Sequence, residues 1–377
     1  MLLQTLLRWL ALVGLTTLVG GLAFRCLIVR PSLLSRLEIE SFEGRLRRVE
    51  AGSIVLVVLT SVGDLVLRTM IMSEGTLGDL GTALPAVLRQ THFGAVWIAR
   101  ISLLGLLAGA WLLRRGGAPR FPWSAWASLV GATLVALTMS LTGHAADWGD
   151  LTVPVLVDWF HLQVISIWAG GLFTLGFVLR PSLLPLGKGE MPQRLDSIAR
   201  RFSRMAACCA TVFLATGLYN SWVQVASLPP LVTTAYGWTL LAKLALVGVA
   251  LILAGLNRYY FLPLRPFGSA AQGRPPVNWL GRVAAMLLQR KADTDGERVS
   301  QQFVQSVRFE WLAAVGVLAA TALLTQFPPA RHIRRHQHRQ PHAVHRSTGG
   351  AERSEAQTPA KHERHHPSAE ASEGRPG

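Results

Sequence analysis

Eight apolar runs dominate the chain, at roughly residues 6–29, 49–72, 93–113, 123–143, 153–179, 205–225, 237–262 and 309–327. Each is about 20 residues long or slightly more, the length that spans a hydrocarbon core of about 30 Å as a helix. Backbone polar groups in lipid must be satisfied within the segment itself, so the runs are expected to be helical. A soluble helical core would show a polar face at helical spacing, whereas these runs are apolar all round. The expected fold is therefore an all-α membrane protein with eight transmembrane helices. The first run is longer than the about 7–15 residues of a signal-peptide core, and no A-x-A site follows it, so it is read as a retained helix.

The positive charge is organised by the same runs. The net charge is +16, which alone suggests nucleic acid or an anionic membrane surface. Its placement decides between them. Arg30, Arg36, Arg45, Arg47 and Arg48 lie between the first two runs, and Arg114, Arg115 and Arg120 between the third and fourth. Arg180, Lys188, Arg194, Arg200, Arg201 and Arg204 lie between the fifth and sixth, and the density stays high from Arg258 to Arg308. The other three connections contain Arg89 as their one basic residue. The positive-inside rule puts the basic connections in the cytoplasm and both termini outside, which in a bacterium is the periplasmic side of the inner (plasma) membrane. The partner is then the lipid bilayer and not nucleic acid. Trp9, Trp148, Trp222 and Trp238 fall near outer ends, and Trp111, Trp123, Trp126 and Trp311 near inner ends, as interfacial belts do.

Parts of the chain repeat. Arg30-Pro31-Ser32-Leu33-Leu34 recurs as Arg180-Pro181-Ser182-Leu183-Leu184, and the stretch from Thr91 parallels that from Thr234, aligning Arg100 with Lys243. Two tandem parallel four-helix repeats are expected, with sites between them. The corresponding divisions are residues 1–145, 146–329 and a tail at 330–377. The tail, rich in Pro, Ser, Glu, Arg and Gly, is expected to be disordered.

Ionisable residues inside membrane spans are costly and mark candidate functional positions. Asp64 and Arg68 are spaced to pair on one helix face. Lys243 joins them as a set that either neutralises itself or, with Arg100 and Trp168, lines a transport path. Asp158, His161 and Trp168 share one stripe of the fifth helix, ahead of Gly170-Gly171, and Glu310 is read as an interfacial residue at an inner end. His92, His144 and His161 all map to outer ends, as do Met70, Met72 and Met139. Imidazole and thioether suit copper, and carboxylates such as Asp158 supplement them. Singly, each histidine reads equally as a capping or interfacial group. Cys26, Cys208 and Cys209 are assigned to inner helix ends, either as small packing residues or as a thiolate exit for Cu(I). The tail holds His332, His336, His338, His342, His345, His362, His365 and His366, a tract that could capture metal loosely or simply be solvated. No phosphate-binding G-x-x-x-x-G-K-[ST] loop is present, so the reading is of a transport protein, not an enzyme driven directly by ATP.

The chain resembles the copper-resistance D (CopD) family of bacterial inner-membrane proteins. The resemblance rests on Gly143-His144-Ala145, Asp158 and His161, and Trp168-Ala169-Gly170-Gly171-Leu172. It continues through Arg201-Phe202-Ser203-Arg204, Thr216-Gly217, Thr234-Ala235-Tyr236-Gly237 with Leu241 and Lys243, Arg308, Glu310 and Pro328-Pro329. It covers about 140–330 most clearly. It implies an eight-helix protein that carries copper from the periplasm toward the cytoplasm, in the service of resistance or homeostasis, supplied by a periplasmic CopC-like copper-binding protein. Two other readings stand beside it. One is a haem b electron-transfer protein with axial ligands drawn from His92, His144 and His161. The other is a copper-binding module that transports nothing.

Overall fold

The computed structural model describes residues 1–29, 34–115, 122–183, 190–225, 230–261 and 296–327. Outside them lie Arg30 to Leu33 of the first repeat copy, Arg120, Lys188, Pro328-Pro329 and every histidine of the tail. Among the described residues the structure is helical and contains no strand. The α-helices are α1 (Leu2–Ala23), α2 (Arg36–Ser73), α3 (Leu80–Gln90), α4 (His92–Arg115), α5 (Pro122–Ser140), α6 (Val153–Phe173), α7 (Arg180–Leu183), α8 (Glu190–Val225), α9 (Pro230–Thr233), α10 (Ala235–Leu256) and α11 (Gly296–Leu324). Eight segments are long and apolar enough to cross a membrane: Leu2–Ile28, Arg36–Ser73, His92–Arg114, Trp123–Ser140, Val153–Leu183, Gln193–Gln224, Ala235–Tyr259 and Gln301–Leu324. Each expected apolar run has its helix.

Several helices run past the apolar runs. α2 has 38 residues, about 57 Å at about 1.5 Å per residue, well beyond a hydrocarbon core of about 30 Å. Its basic first turns, read from sequence as a connection, are helical because Ser35 and Glu38 form a reciprocal capping box. Arg36 also pairs with Glu40 one turn on at 3.2 Å. α8 likewise starts at Glu190, and Arg200 pairs with Asp196 at 2.8 Å. Cys208 and Cys209 consequently sit in the middle of α8, not at its end as the apolar run suggested. The connection from α2 to α4 holds a short helix that hydropathy passed over. Leu84, Val87 and Leu88 of α3 pack on Leu65, Phe93 and Trp97. The preceding turn is closed by Asp79, whose carboxylate accepts from the Thr76 N–H at 2.8 Å and the Thr76 hydroxyl at 2.9 Å. Those bonds to the charged form hold its pKa below the ordinary aspartate value.

The centre of the bundle is the crossing of α1 and α6, the two most buried spans. α1 also packs against α2, α5 and α11. A Cβ added to Gly170 would lie 2.1 Å from the Thr16 carbonyl oxygen, and one added to Gly20 would lie 2.4 Å from the Gly170 Cα. The backbones therefore touch, and the Thr16 and Ser166 hydroxyls meet beside them at 3.4 Å. The same 150-residue spacing that separates Arg30 from Arg180 separates Thr16 from Ser166 and Gly20 from Gly170. The crossing thus pairs like with like. Both helices end in a π-helical turn, at Phe24–Ile28 and Thr174–Leu179. The two T-x-x-G segments also fold alike: Thr91 accepts from the Gly94 N–H and Thr234 from the Gly237 N–H, each at 3.0 Å.

Indole groups tie the helices together, because a buried Trp N–H needs an acceptor. Trp97 and Trp111 of α4 donate to the Ser61 and Arg47 carbonyls of α2, at 2.8 and 2.9 Å. Trp159 of α6 donates to Thr133 of α5 at 2.9 Å, and Trp9 of α1 to Val315 of α11 at 3.2 Å. Trp9 and Trp111 are therefore helix-packing groups, whereas Trp123, Trp126, Trp222 and Trp238 are exposed, as a belt requires.

Candidate functional site

Four helices, α6, α8, α10 and α11, enclose two cavities, one above the other. The first lies toward the bundle end where α1 begins and has a volume of about 160 Å³. It is lined by Asp158, His161 and Ile165 of α6, Phe213 and Gly217 of α8, Lys243 of α10 and Thr321 of α11. Arg8 of α1, Met139 of α5 and His144 of the following turn complete it. The sequence candidates Met139, His144, Asp158, His161 and Lys243 therefore share one cavity.

His161 is held by its surroundings in one orientation. Its ring stacks on Phe213, with centroids 4.5 Å apart and planes 19° from parallel. Its Nδ1 lies 2.9 Å from the Thr216 hydroxyl. The Thr216 hydroxyl also lies 2.7 Å from the Val212 carbonyl; when its one proton goes there, Thr216 accepts from His161, Nδ1 carries the proton and Nε2 keeps the lone pair. A neutral imidazole with its far N–H anchored is the usual state of a metal-binding histidine.

The cavity holds two cations and one anion. Lys243 and Arg8 line it together with Asp158, and among the described residues neither forms an ion pair with that carboxylate within 4 Å. Arg8, which sequence reading did not single out, donates to the Met139 sulfur at 3.4 Å and the Met139 carbonyl at 3.2 Å. An arginine inside the first apolar run was the available signal.

The remaining candidates lie elsewhere. His92 pairs with Asp150 at 2.8 Å, both about half exposed, and Met70 and Met72 sit at the end of α2; none of the three lines the cavity. Asp64 and Arg68 pair at 3.1 Å, and Arg68 lies over the Phe93 ring. Arg100 is fully buried, donating to the Thr138 hydroxyl and carbonyl at 2.8 Å each and to Thr142 at 3.1 Å. The expected self-neutralising set is thus only the Asp64–Arg68 pair. Cys26 is partly buried, Cys208 exposed and Cys209 buried, and none lines either cavity. Cys208 and Cys209, adjacent on a helix, point in different directions. Among the described residues no cluster of three or more His, Cys, Asp or Glu is arranged to hold a metal ion.

The second cavity, of about 280 Å³, lies toward the arginine-rich end. Phe213 and Trp168, edge to face at 6.1 Å, stand between the two. Trp168 lines this second space and donates its indole N–H to Glu310 at 2.8 Å. The other Glu310 oxygen accepts from the Asn257 amide at 2.6 Å. Glu310 is 2% exposed, which corrects the interfacial placement. α11 begins at Gly296, well before the apolar run, so Glu310 lies several turns into the helix.

Comparison with known proteins matches both ends of this arrangement. The family described as "Copper resistance protein D" matches residues 196–324, which contain all of α10 and α11 and most of α8. The family described as "Copper resistance protein D-like, N-terminal domain" matches residues 1–153. The chain is thus similar to the copper-resistance D family over both stretches. α6, with Asp158, His161 and Trp168, lies between the two matched stretches. The copper transport protein CutJ of Bacillus subtilis is 29% identical over 77% of this chain and 47% of its own. The chain therefore spans about half the length of that relative. Copper resistance protein D of Pseudomonas syringae pv. tomato is 28% identical over 58% of this chain and 70% of its own. The inner membrane protein YebZ of Escherichia coli is 23% identical over 76% of this chain and 86% of its own. No solved structure matches.

Proposed function

We propose that this protein carries copper across the bacterial inner membrane, from the periplasm toward the cytoplasm, in copper resistance or homeostasis. The observation that carries the reading is the cavity in which His161, fixed as a lone-pair donor by Thr216, shares space with His144, Asp158 and Met139. The named relatives support copper as cargo. By the positive-inside rule the arginine-rich connections would lie in the cytoplasm, which puts the first cavity on the periplasmic side, where copper would enter. A space of about 160 Å³ suits an ion, since pockets for organic cofactors run about 300–1,000 Å³. Copper would then pass the Phe213–Trp168 pair into the second cavity. A periplasmic CopC-like protein would deliver it at the entrance, with the His-rich tail a second capture point.

Conduction needs binding strong enough to enter and weak enough to leave. Lys243 and Arg8 supply the weakening, because a bound cation competes with both. Lys243→Met should tighten copper binding about tenfold or more, since a nearby unit charge at an effective dielectric of about 20 is worth on the order of 2 kcal/mol. Isothermal titration with Cu(I) held by a competing chelator measures this, and turnover should fall as affinity rises. The transport reading itself is tested in proteoliposomes. Copper entry no faster than into protein-free vesicles, from either side, would rule it out.

A further inference from the structure

The second cavity contains a buried carboxylate that the copper path does not explain. Glu310 is held by two neutral donors, the Trp168 indole and the Asn257 amide, and forms no ion pair among the described residues. Among the described residues, Arg258 is the one charged side chain besides Glu310 that lines this cavity. Arg258, at the end of α10, donates to Ser203 of α8 at 2.9 Å and lies over Tyr259. Arg308 on α11 itself donates to the Gly176 carbonyl at 3.2 Å and lies over Phe177. Asp196 and Arg200 on α8 pair with each other. α6 presents Trp168 and Leu172, neither of them titratable, and α1 meets α11 through Trp9. Lys243 faces the other cavity. The titratable Tyr259 lines the space, whereas Cys209 does not. An ionised carboxylate so placed is costly unless a proton or cation joins it.

A second observation shows where the proton would go. The Asn257 side-chain oxygen is buried and has no hydrogen-bond partner, although Asn257 is only 7% exposed and lines the same cavity. Rotating the amide by half a turn exchanges its oxygen and nitrogen without moving their positions. With Glu310 ionised, the Asn257 N–H donates to the carboxylate. With Glu310 protonated, the carboxyl O–H donates to the Asn257 oxygen, and the amide N–H₂ turns to the cavity. Both states keep the short Glu310–Asn257 contact and the Trp168 bond.

We propose that Glu310 and Asn257 form a reversible proton-binding site in the cavity at the arginine-rich end, and that this site couples proton movement to passage of the cargo. One proton binds at the Glu310 carboxylate oxygen facing Asn257 and leaves to water in the cavity; no other bond changes. The coupling rests on the transport reading, but the proton site does not.

The test separates the two. Infrared difference spectra of the full-length protein in liposomes, without copper, are recorded across a pH range of about 5–9. The wild type should show a protonated-carboxyl carbonyl band that titrates, and that band should be missing from Glu310→Gln. Glutamine can still accept from Trp168 and bond Asn257, so this variant should fold. Asn257→Leu, which removes both the N–H that donates to the carboxylate and the oxygen that accepts the proton, should shift the titration. Copper flux into the same liposomes should vary with pH by up to about tenfold per unit in the wild type and be flat in Glu310→Gln. A band unaffected by Glu310→Gln, or absent throughout, overturns the proton site even if copper flux is intact. A titrating Glu310 band with pH-independent copper flux overturns the coupling. A titrating band with no copper flux at all overturns the transport reading and, with it, the coupling, but leaves the site standing.

Discussion

Gly170→Ala is expected to destabilise the protein more than any other single-methyl change in the bundle. The new Cβ would stand 2.1 Å from the Thr16 carbonyl oxygen, 2.8 Å from the Gly20 Cα and 3.1 Å from the Thr16 carbonyl carbon. All three are backbone atoms of α1, so no rotamer change relieves the clash, and the helices must part. Ordinary overpacking costs about 1–3 kcal/mol; separating the two most buried spans should cost about 3 kcal/mol or more. Gly20→Ala should behave alike, since its Cβ meets the Gly170 Cα and the Ser166 carbonyl oxygen, both at 2.4 Å. Gly248→Ala on α10 is the control. Its Cβ would meet nothing within 4 Å, and alanine has the higher helix propensity by about 1 kcal/mol. Thermal unfolding in detergent should show lower midpoints and reduced yield for the two crossing variants, with an unchanged or slightly raised midpoint for Gly248→Ala. Equal midpoints for Gly170→Ala and Gly248→Ala would mean that the helices do not cross there.

His161→Ala should reduce copper flux in proteoliposomes to near background while leaving the melting midpoint largely intact, because the ring lines a cavity. Thr216→Val tests the geometry more sharply. Valine keeps the shape but removes the acceptor that fixes the His161 tautomer. Loss of such a supporting partner typically costs about 10–100-fold in metal affinity or activity. Thr216→Ser should restore most of the flux, since it returns the hydroxyl. X-ray absorption of copper-loaded protein should show nitrogen ligation that diminishes in His161→Ala. Undiminished flux in both His161→Ala and Thr216→Val would move the copper path away from this cavity.

The spans were legible because length and hydropathy alone select a membrane helix. The chemistry was legible only where one residue type declares it. Asp158, His161, His144 and Met139 could be named in advance, since imidazole, thioether and carboxylate are unusual in lipid. Their company could not, because His92, Met70 and Met72 have the same composition and depth yet face away from the cavity. Helix rotation decides that, and spans that are apolar all round give no periodic signal of it. Thr216 stood out only through the family resemblance, and Asn257 not at all, because a hydroxyl or amide in a span is commonplace; only the partner across the helix interface gives it a role. Glu310 was misplaced because α11 continues into polar sequence where hydropathy ends.

One helix belongs to both cavities. On α8, Ala199, Phe202, Ser203, Ala206, Ala207 and Ala210 face the arginine-rich space, and Phe213, Gly217, Asn220, Ser221, Val223 and Gln224 face the other. No break interrupts the helix between them, and only 17% of its spanning window is buried, so lipid covers most of its surface. Were such a rod to tilt about the changeover between Ala210 and Phe213, one end would leave its cavity as the other pressed inward, and the two cavities would not widen together.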